Sequence, residues 1–88
     1  AQGVGNAMAL LNQIAAAGHV SGGNGNSLLA KLVAARKQLE KGNVAPALGQ
    51  LGAVLNELEA LEQAGRIPAA DAGALRALVA RIIASLSP

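Results

Sequence analysis

His19 is the only histidine in this chain of 88 residues. An imidazole suggests general acid–base chemistry or activation of a nucleophile, and either needs a hydroxyl and an orienting acid within reach. Ser21 and Ser27 are close in sequence, but the pattern puts them in a turn and at a helix cap. His19 itself falls in a helix-ending turn, exposed, near carbonyls that a cation favours. The structural reading outweighs the catalytic one. Glu57, Glu59 and Glu62 could form a metal or acid–base cluster. Glu59 and Glu62 can face together at a spacing of three, whereas Glu57 and Glu59 point apart. No acidic loop or second histidine completes a site, so a solvated helix face is expected. Gly22-Gly-Asn-Gly25 superficially suggests a phosphate cradle. It lacks the Lys-Ser/Thr of a P-loop and follows a helix rather than a strand, so a flexible linker is expected. The one surface feature with functional promise is cationic: Lys31, Arg36, Lys37 and Lys41, diluted by Glu40. It could meet an anionic polymer or lipid surface, but the field is weak and ordinary solvation explains it better. No catalytic residue, cofactor site or metal site is assigned.

Bulk properties narrow the classes further. There is no cysteine, hence no disulfide and no thiolate nucleophile or ligand. The net charge is +2 and there is no Phe, Trp or Tyr, so a nucleic-acid binder with stacking platforms is not expected. Apolar runs are only a few residues long, far short of a membrane span. Ala1-Gln2 fits the small residues favoured at a signal-peptidase site, and equally an arbitrary boundary.

The elements that position these residues come from a repeat. Ile14-Ala-Ala-Ala-Gly-His-Val20 recurs as Leu61-Glu-Gln-Ala-Gly-Arg-Ile67, an offset of 47 from Gly18 to Gly65. Carried outward without a gap, it sets Val4 on Leu51, Met8 on Leu55, Leu11 on Leu58, Leu28 on Leu75 and Leu39 on Leu86. His19 falls on Arg66, another cation, which supports its bland reading. The repeated unit is helix–turn–helix. Val4, Met8, Leu11 and Ile14 line one face of a first helix. Gly18 ends it with the left-handed conformation that glycine takes cheaply, and Val20 latches back onto it. Ser21 to Asn26 reads as the loosest segment. A second helix then starts with Asn26 or Ser27 as cap, buries Leu28, Leu32, Ala35 and Leu39, and ends at Gly42. Asn43 caps a third helix, with Pro46 in its first turn. That helix buries Leu48, Leu51, Leu55, Leu58 and Leu61, with Val54 beside them. Gly49 and Gly52 weaken it unless a neighbouring helix comes close. Gly65 and Ile67 repeat the ending, Pro68 forbids continuation, and Asp71 sits in the first turn of a fourth helix. Leu75, Leu78, Val79, Ile82, Ile83 and Leu86 give that helix its apolar face.

The expected fold is all-α: an antiparallel up-down four-helix bundle built from two αα-hairpins. One domain is expected over residues 1–88, with helices at about 4–17, 27–41, 44–64 and 70–86. The alternative is three strong helices with the first packed loosely, because Gly3 and Gly5 weaken it. Charge sorts by helix: the second is basic, the later half of the third is acidic, and the fourth carries Arg76 and Arg81. Opposite signs on neighbouring helices favour this pairing and set register more than stability.

With Asn26-Ser-Leu-Leu-Ala-Lys-Leu32, Leu39-Glu-Lys-Gly-Asn43 and Leu51 to Ala60 in view, the chain resembles the FIMAH family. These small helical domains occur mainly at the C-terminal ends of modular secreted bacterial hydrolases and surface proteins. Lys31, Gly42, Asn43, Asn56, Gly65 and Ile67 match the family's ordered series, and the likeness runs from about Ala7 to Leu86. The family usually has an aromatic near the position of Val54, which is absent here. The resemblance implies a secreted, extracellular, bacterial, non-catalytic accessory module, not an enzyme, and it carries over no catalytic residue. Asn43 and Asn56 suit structural caps and surface contacts better than ligand binding. The partner implied is a neighbouring domain of a modular protein or a cell-surface polymer, with no nucleic acid and no membrane span. The rival expectation is self-assembly into a helical homo-oligomer or filament, motivated by surplus apolar residues such as Leu29, Val33, Val54 and Ile83. An enzyme in its own right is the least expected; a hydrolase activity lost on His19→Ala would revive it.

Overall fold

In the computed structural model, residues 2–86 are described, and the side chain of Gln2 is not. Four helices follow one another: α1 Gln2–Ala16, α2 Gly22–Glu40, α3 Val44–Gln63 and α4 Ala69–Leu86. Five residues separate α1 from α2 and α3 from α4, and three separate α2 from α3, each connection holding a glycine ending. Gly18, Gly42 and Gly65 have φ of 78°, 79° and 70°. After each, the next N–H reaches back five residues: His19 to Ile14 O, Asn43 to Gln38 O and Arg66 to Leu61 O. This is the Schellman ending, and Val20 and Ile67 are buried as its apolar latches.

Each helix runs against its two neighbours in a square. α1 packs on α2 and α4, α3 packs on α2 and α4, and neither diagonal pair makes a close backbone approach. The body measures 34 × 19 × 17 Å, roughly the length of one 20-residue helix at about 1.5 Å per residue. This is the expected helical bundle, with α1 a full member: Val4, Ala7, Leu11 and Ile14 are all buried. The loosely packed first helix is therefore not found.

The repeat governs the core. Val4 and Leu51, Ala7 and Val54, Leu11 and Leu58, Ile14 and Leu61 are buried pairs at the same offset. So are Val20 and Ile67, Gly25 and Ala72, Leu28 and Leu75, Leu32 and Val79, Ala35 and Ile82. Among the described residues, Ala47 alone is buried without such a mate. Four hydrogen bonds also recur in register, including Gly25 N–H to Ser21 O and Ala72 N–H to Pro68 O. The two hairpins thus share one packing pattern, which is the basis of the bundle's approximate twofold.

Several local expectations are corrected. α2 begins at Gly22, not Ser27, and its cap is Ser21, whose hydroxyl accepts from Asn24 N–H at 3.2 Å. Gly22 to Asn26 is thus helix rather than linker. The cap and burial of Gly25 against Val20 and Ala15 outweigh poor glycine propensity. Asn43 holds the N-cap position of α3, but its side chain makes no cap bond and donates instead to Gln38 Oε1 at 3.1 Å. In α3, Ala47 takes the interior position, while Leu48 and Leu55 are half-buried. Met8 and Leu39 are likewise at the edge of the core, not in it. Val54, counted above as surplus, is 2% exposed and belongs to the core, so the family's aromatic would have to fit inside the bundle.

Gly49 and Gly52 are not sites of close helix approach either. A Cβ on each would meet nothing within 4 Å. The tight approach is elsewhere, at Gly3, where a Cβ would lie 3.0 Å from Ile82 Cγ1. Gly49→Ala and Gly52→Ala should therefore each stabilise the domain by about 1 kcal/mol, because only helix propensity changes. Urea denaturation checks this; a loss of stability would show that a neighbour does need the space.

Candidate functional site

The chemically capable side chains are held in clasps between helices. At the α2–α3 seam, Lys31 Nζ lies 2.6 Å from Glu57 Oε1. Ser27, one turn earlier on α2, donates to the same carboxylate oxygen at 3.1 Å and accepts from Lys31 at 3.0 Å. At the α3–α4 seam, Arg76 donates to Glu62 at 2.7 Å. At one end of the bundle, His19 Nδ1 is 2.7 Å from Asp71 Oδ2, joining the first hairpin turn to the first turn of α4. Glu59 accepts from Gln63 within α3.

His19 therefore has the orienting acid that the sequence left unassigned. It lies 52 positions away, beyond the reach of local pattern. The described serines are occupied elsewhere: Ser21 as a cap, Ser27 with Glu57, and Ser85 on Ile82 O. His19 is half exposed, and its pair with Asp71 does the work of a latch between the two hairpins.

The repeat shows what the clasps replace. Carried by 47 residues, Lys31 and Glu57 correspond to Leu78 and Leu10, on α4 and α1. Arg76 and Glu62 correspond to Leu29 and Ala15, on α2 and α1. All four of these apolar mates pack against the core. The two seams of α3 carry ion pairs where the corresponding positions at the seams of α1 are apolar. Lys31→Leu alone should leave Glu57, whose side chain is 19% exposed, with only the Ser27 hydroxyl as partner, and cost about 1–2 kcal/mol after allowance for solvent screening. Adding Glu57→Leu should recover that loss, because an apolar pair of similar volume replaces an ion pair without penalty. A double-mutant cycle in urea checks this, and additive losses would reject it.

The four cations singled out on α2 and at its C-cap do not form one surface. At about 100° per residue, Lys31 lies on one flank of the helix and Arg36 on the opposite flank, with Lys37 and Lys41 pointing outward. Lys31 is committed to Glu57. Lys37 and Lys41 are exposed, and Arg36 is half-buried. Asn56 is exposed on α3. No cavity opens among the described residues, and no group of acidic or histidine side chains there is placed to hold a metal. Among the described residues, no helix is long and apolar enough to cross a membrane.

Fold and flanks together define a class: a small all-α, four-helix bundle whose two hairpins are clasped by charged side chains. A family model for the FIMAH domain matches residues 4–84, nearly the whole chain. The chain belongs to the FIMAH domain family. Comparison with curated proteins and with solved structures gives no significant match.

Proposed function

We propose that this FIMAH domain is a non-catalytic accessory module of a secreted or surface-bound bacterial protein. It serves as a structural, spacer or attachment domain, and its partner is a neighbouring domain of the same protein or a cell-surface polymer. The observation that carries this reading is the family match over residues 4–84. The geometry is in keeping with it: Lys31, Glu57, Glu62, Asp71, Arg76 and His19 are all tied across helix seams, where they hold the bundle together. No cofactor enters this reading.

The reading frame around these residues tests it. An export signal together with a catalytic or adhesive domain elsewhere in the frame is the expected outcome. An isolated frame whose product fractionates with the cytoplasm overturns it. In this reading the domain is a monomer on its own, and light scattering during size-exclusion chromatography should give the mass of one chain. Self-assembly has less to draw on, since Val54 is interior and Val44 is the exposed large hydrophobic among the described residues.

A further inference from the structure

The two hairpins share a packing pattern, yet they are not duplicates where they meet. Hairpin 1, made of α1 and α2, touches hairpin 2, made of α3 and α4, along two seams: α2 on α3 and α1 on α4. The approximate twofold exchanges these seams. At the first, Lys31 and Ser27 both donate to the Glu57 carboxylate. At the second, the corresponding positions are Leu78, Ala74 and Leu10, and both leucines pack against the core. Steric fit divides in the same way. Gly3 of α1 lies so close to Ile82 of α4 that a Cβ on it would be 3.0 Å from Ile82 Cγ1. At the other seam the corresponding residues are Gln50 on α3, half-buried, and Ala35 on α2, fully buried. Hairpin 1 thus holds the cation and both small residues, and hairpin 2 holds the anion and both large ones.

Each hairpin is therefore a complement of the other and a poor match for itself. Set against a second hairpin 1, Lys31 would face Leu10 at both seams, a half-buried ammonium without an acceptor, and Gly3 would face Ala35 across a void. Set against a second hairpin 2, Glu57 would face Leu78 at both seams, with both donors lost, and Gln50 would be driven onto Ile82. Unpaired half-buried charge, voids and overlap each cost stability. Stability alone does not account for the charges, because an apolar pair would hold the native seam equally well. A charged pair at one of two equivalent seams does what an apolar pair cannot. It separates the right partner from a near-identical wrong one.

We propose that the Lys31–Ser27–Glu57 clasp and the Gly3–Ile82 contact form a pairing lock, which makes hairpin 1 accept hairpin 2 and reject its own kind. The competitor it excludes is a second copy of this chain. Two copies opened at the Lys41-Gly42-Asn43 connection would otherwise be free to associate like with like, since their core faces follow one pattern. The selection operates between the chain's own two halves and holds whatever protein the domain is attached to.

Two full-length variants test the lock. The first combines Leu10→Glu with Glu57→Leu, which puts both charges on hairpin 1. The second combines Lys31→Leu with Leu78→Lys, which puts both on hairpin 2. In either chain alone a charge faces leucine at each seam, and the melting temperature should fall by about 8 °C or more. Unfolded in urea and refolded as an equimolar mixture, the two chains match. Hairpin 1 of the first and hairpin 2 of the second form an ion pair at both seams, and the other two hairpins form leucine pairs. Native mass spectrometry, with one chain ¹⁵N-labelled, should show a dimer of one copy of each, and the mixture should melt near the wild type. All four substitutions in one chain move the clasp to the α1–α4 seam. That chain should be a monomer melting within about 4 °C of the wild type. The first variant alone should form less dimer than the mixture, because pairing like with like still sets Gln50 on Ile82. Separate variants that melt as the wild type overturn the proposal, as does a mixture with no mixed dimer or no gain in melting temperature. A fourfold variant melting as low as either double one does the same, by showing that the substitutions act locally. Dimer in the first variant alone equal to that in the mixture overturns the steric part.

Discussion

Leu58→Ala should cost the domain about 3–5 kcal/mol and lower its melting temperature by about 12 °C or more. Leu58 is fully buried in the second half of α3. Its removal leaves a cavity as well as losing transfer free energy, and the size of the loss depends on how far the surroundings collapse. Collapse is hindered here because the core has no aromatic or other large side chain able to swing into the space, only Leu, Ile, Val and Ala. For a chain of this length, total stability is about 4–13 kcal/mol, so this one change removes a large part of it. The repeat adds a stricter expectation. Leu11, its mate, is 1% exposed, and Leu11→Ala should cost the same within about 1 kcal/mol. Urea denaturation with an unchanged slope is the measurement. A loss below about 1 kcal/mol at either site would show that the interior is not sealed there.

Gly65→Val is the second large effect, expected at about 2 kcal/mol or more. The cause is conformational, since a Cβ at position 65 would meet no other atom within 4 Å. What the residue must supply is φ of 70°, where an L-residue is strained and a β-branched one more so. That conformation lets Arg66 N–H reach Leu61 O at 2.8 Å and turns Ile67 back into the core. Gly65→Ala should cost about 1 kcal/mol and Gly65→Asn less, and the same order should hold at Gly18. Gly52→Ala, also in open space, should act in the opposite direction because Gly52 lies in a helix. Unchanged melting temperatures for Gly65→Val would refute this account of the turn.

Much of the fold was legible because its signals are local. Periodicity of about 3.6 residues marked the apolar faces, and the three glycine endings marked where helices stop. The start of α2 was misread because three glycines argue for a loop. The repeat held the correction, since Ser21 corresponds to Pro68, the residue before α4. The interior places of Ala47, Ala7 and Ala72 were also hidden, because alanine is equally common on both faces of a helix and its burial depends on a neighbour's approach.

By itself, then, the sequence determined a helix–turn–helix unit written twice, its chain reversals and its membership of the FIMAH family. All of these rest on interactions between residues a few positions apart or on an ordered series along the chain. Tertiary structure decided which charged groups meet. Lys31 and Glu57 are 26 positions apart, and His19 and Asp71 are 52 apart. Their pairing follows from which flank of each helix faces which neighbour and at what height, a geometry that no single helix encodes. The same geometry leaves Arg36 half-buried, with its Nε sealed and without a hydrogen-bond partner among the described residues.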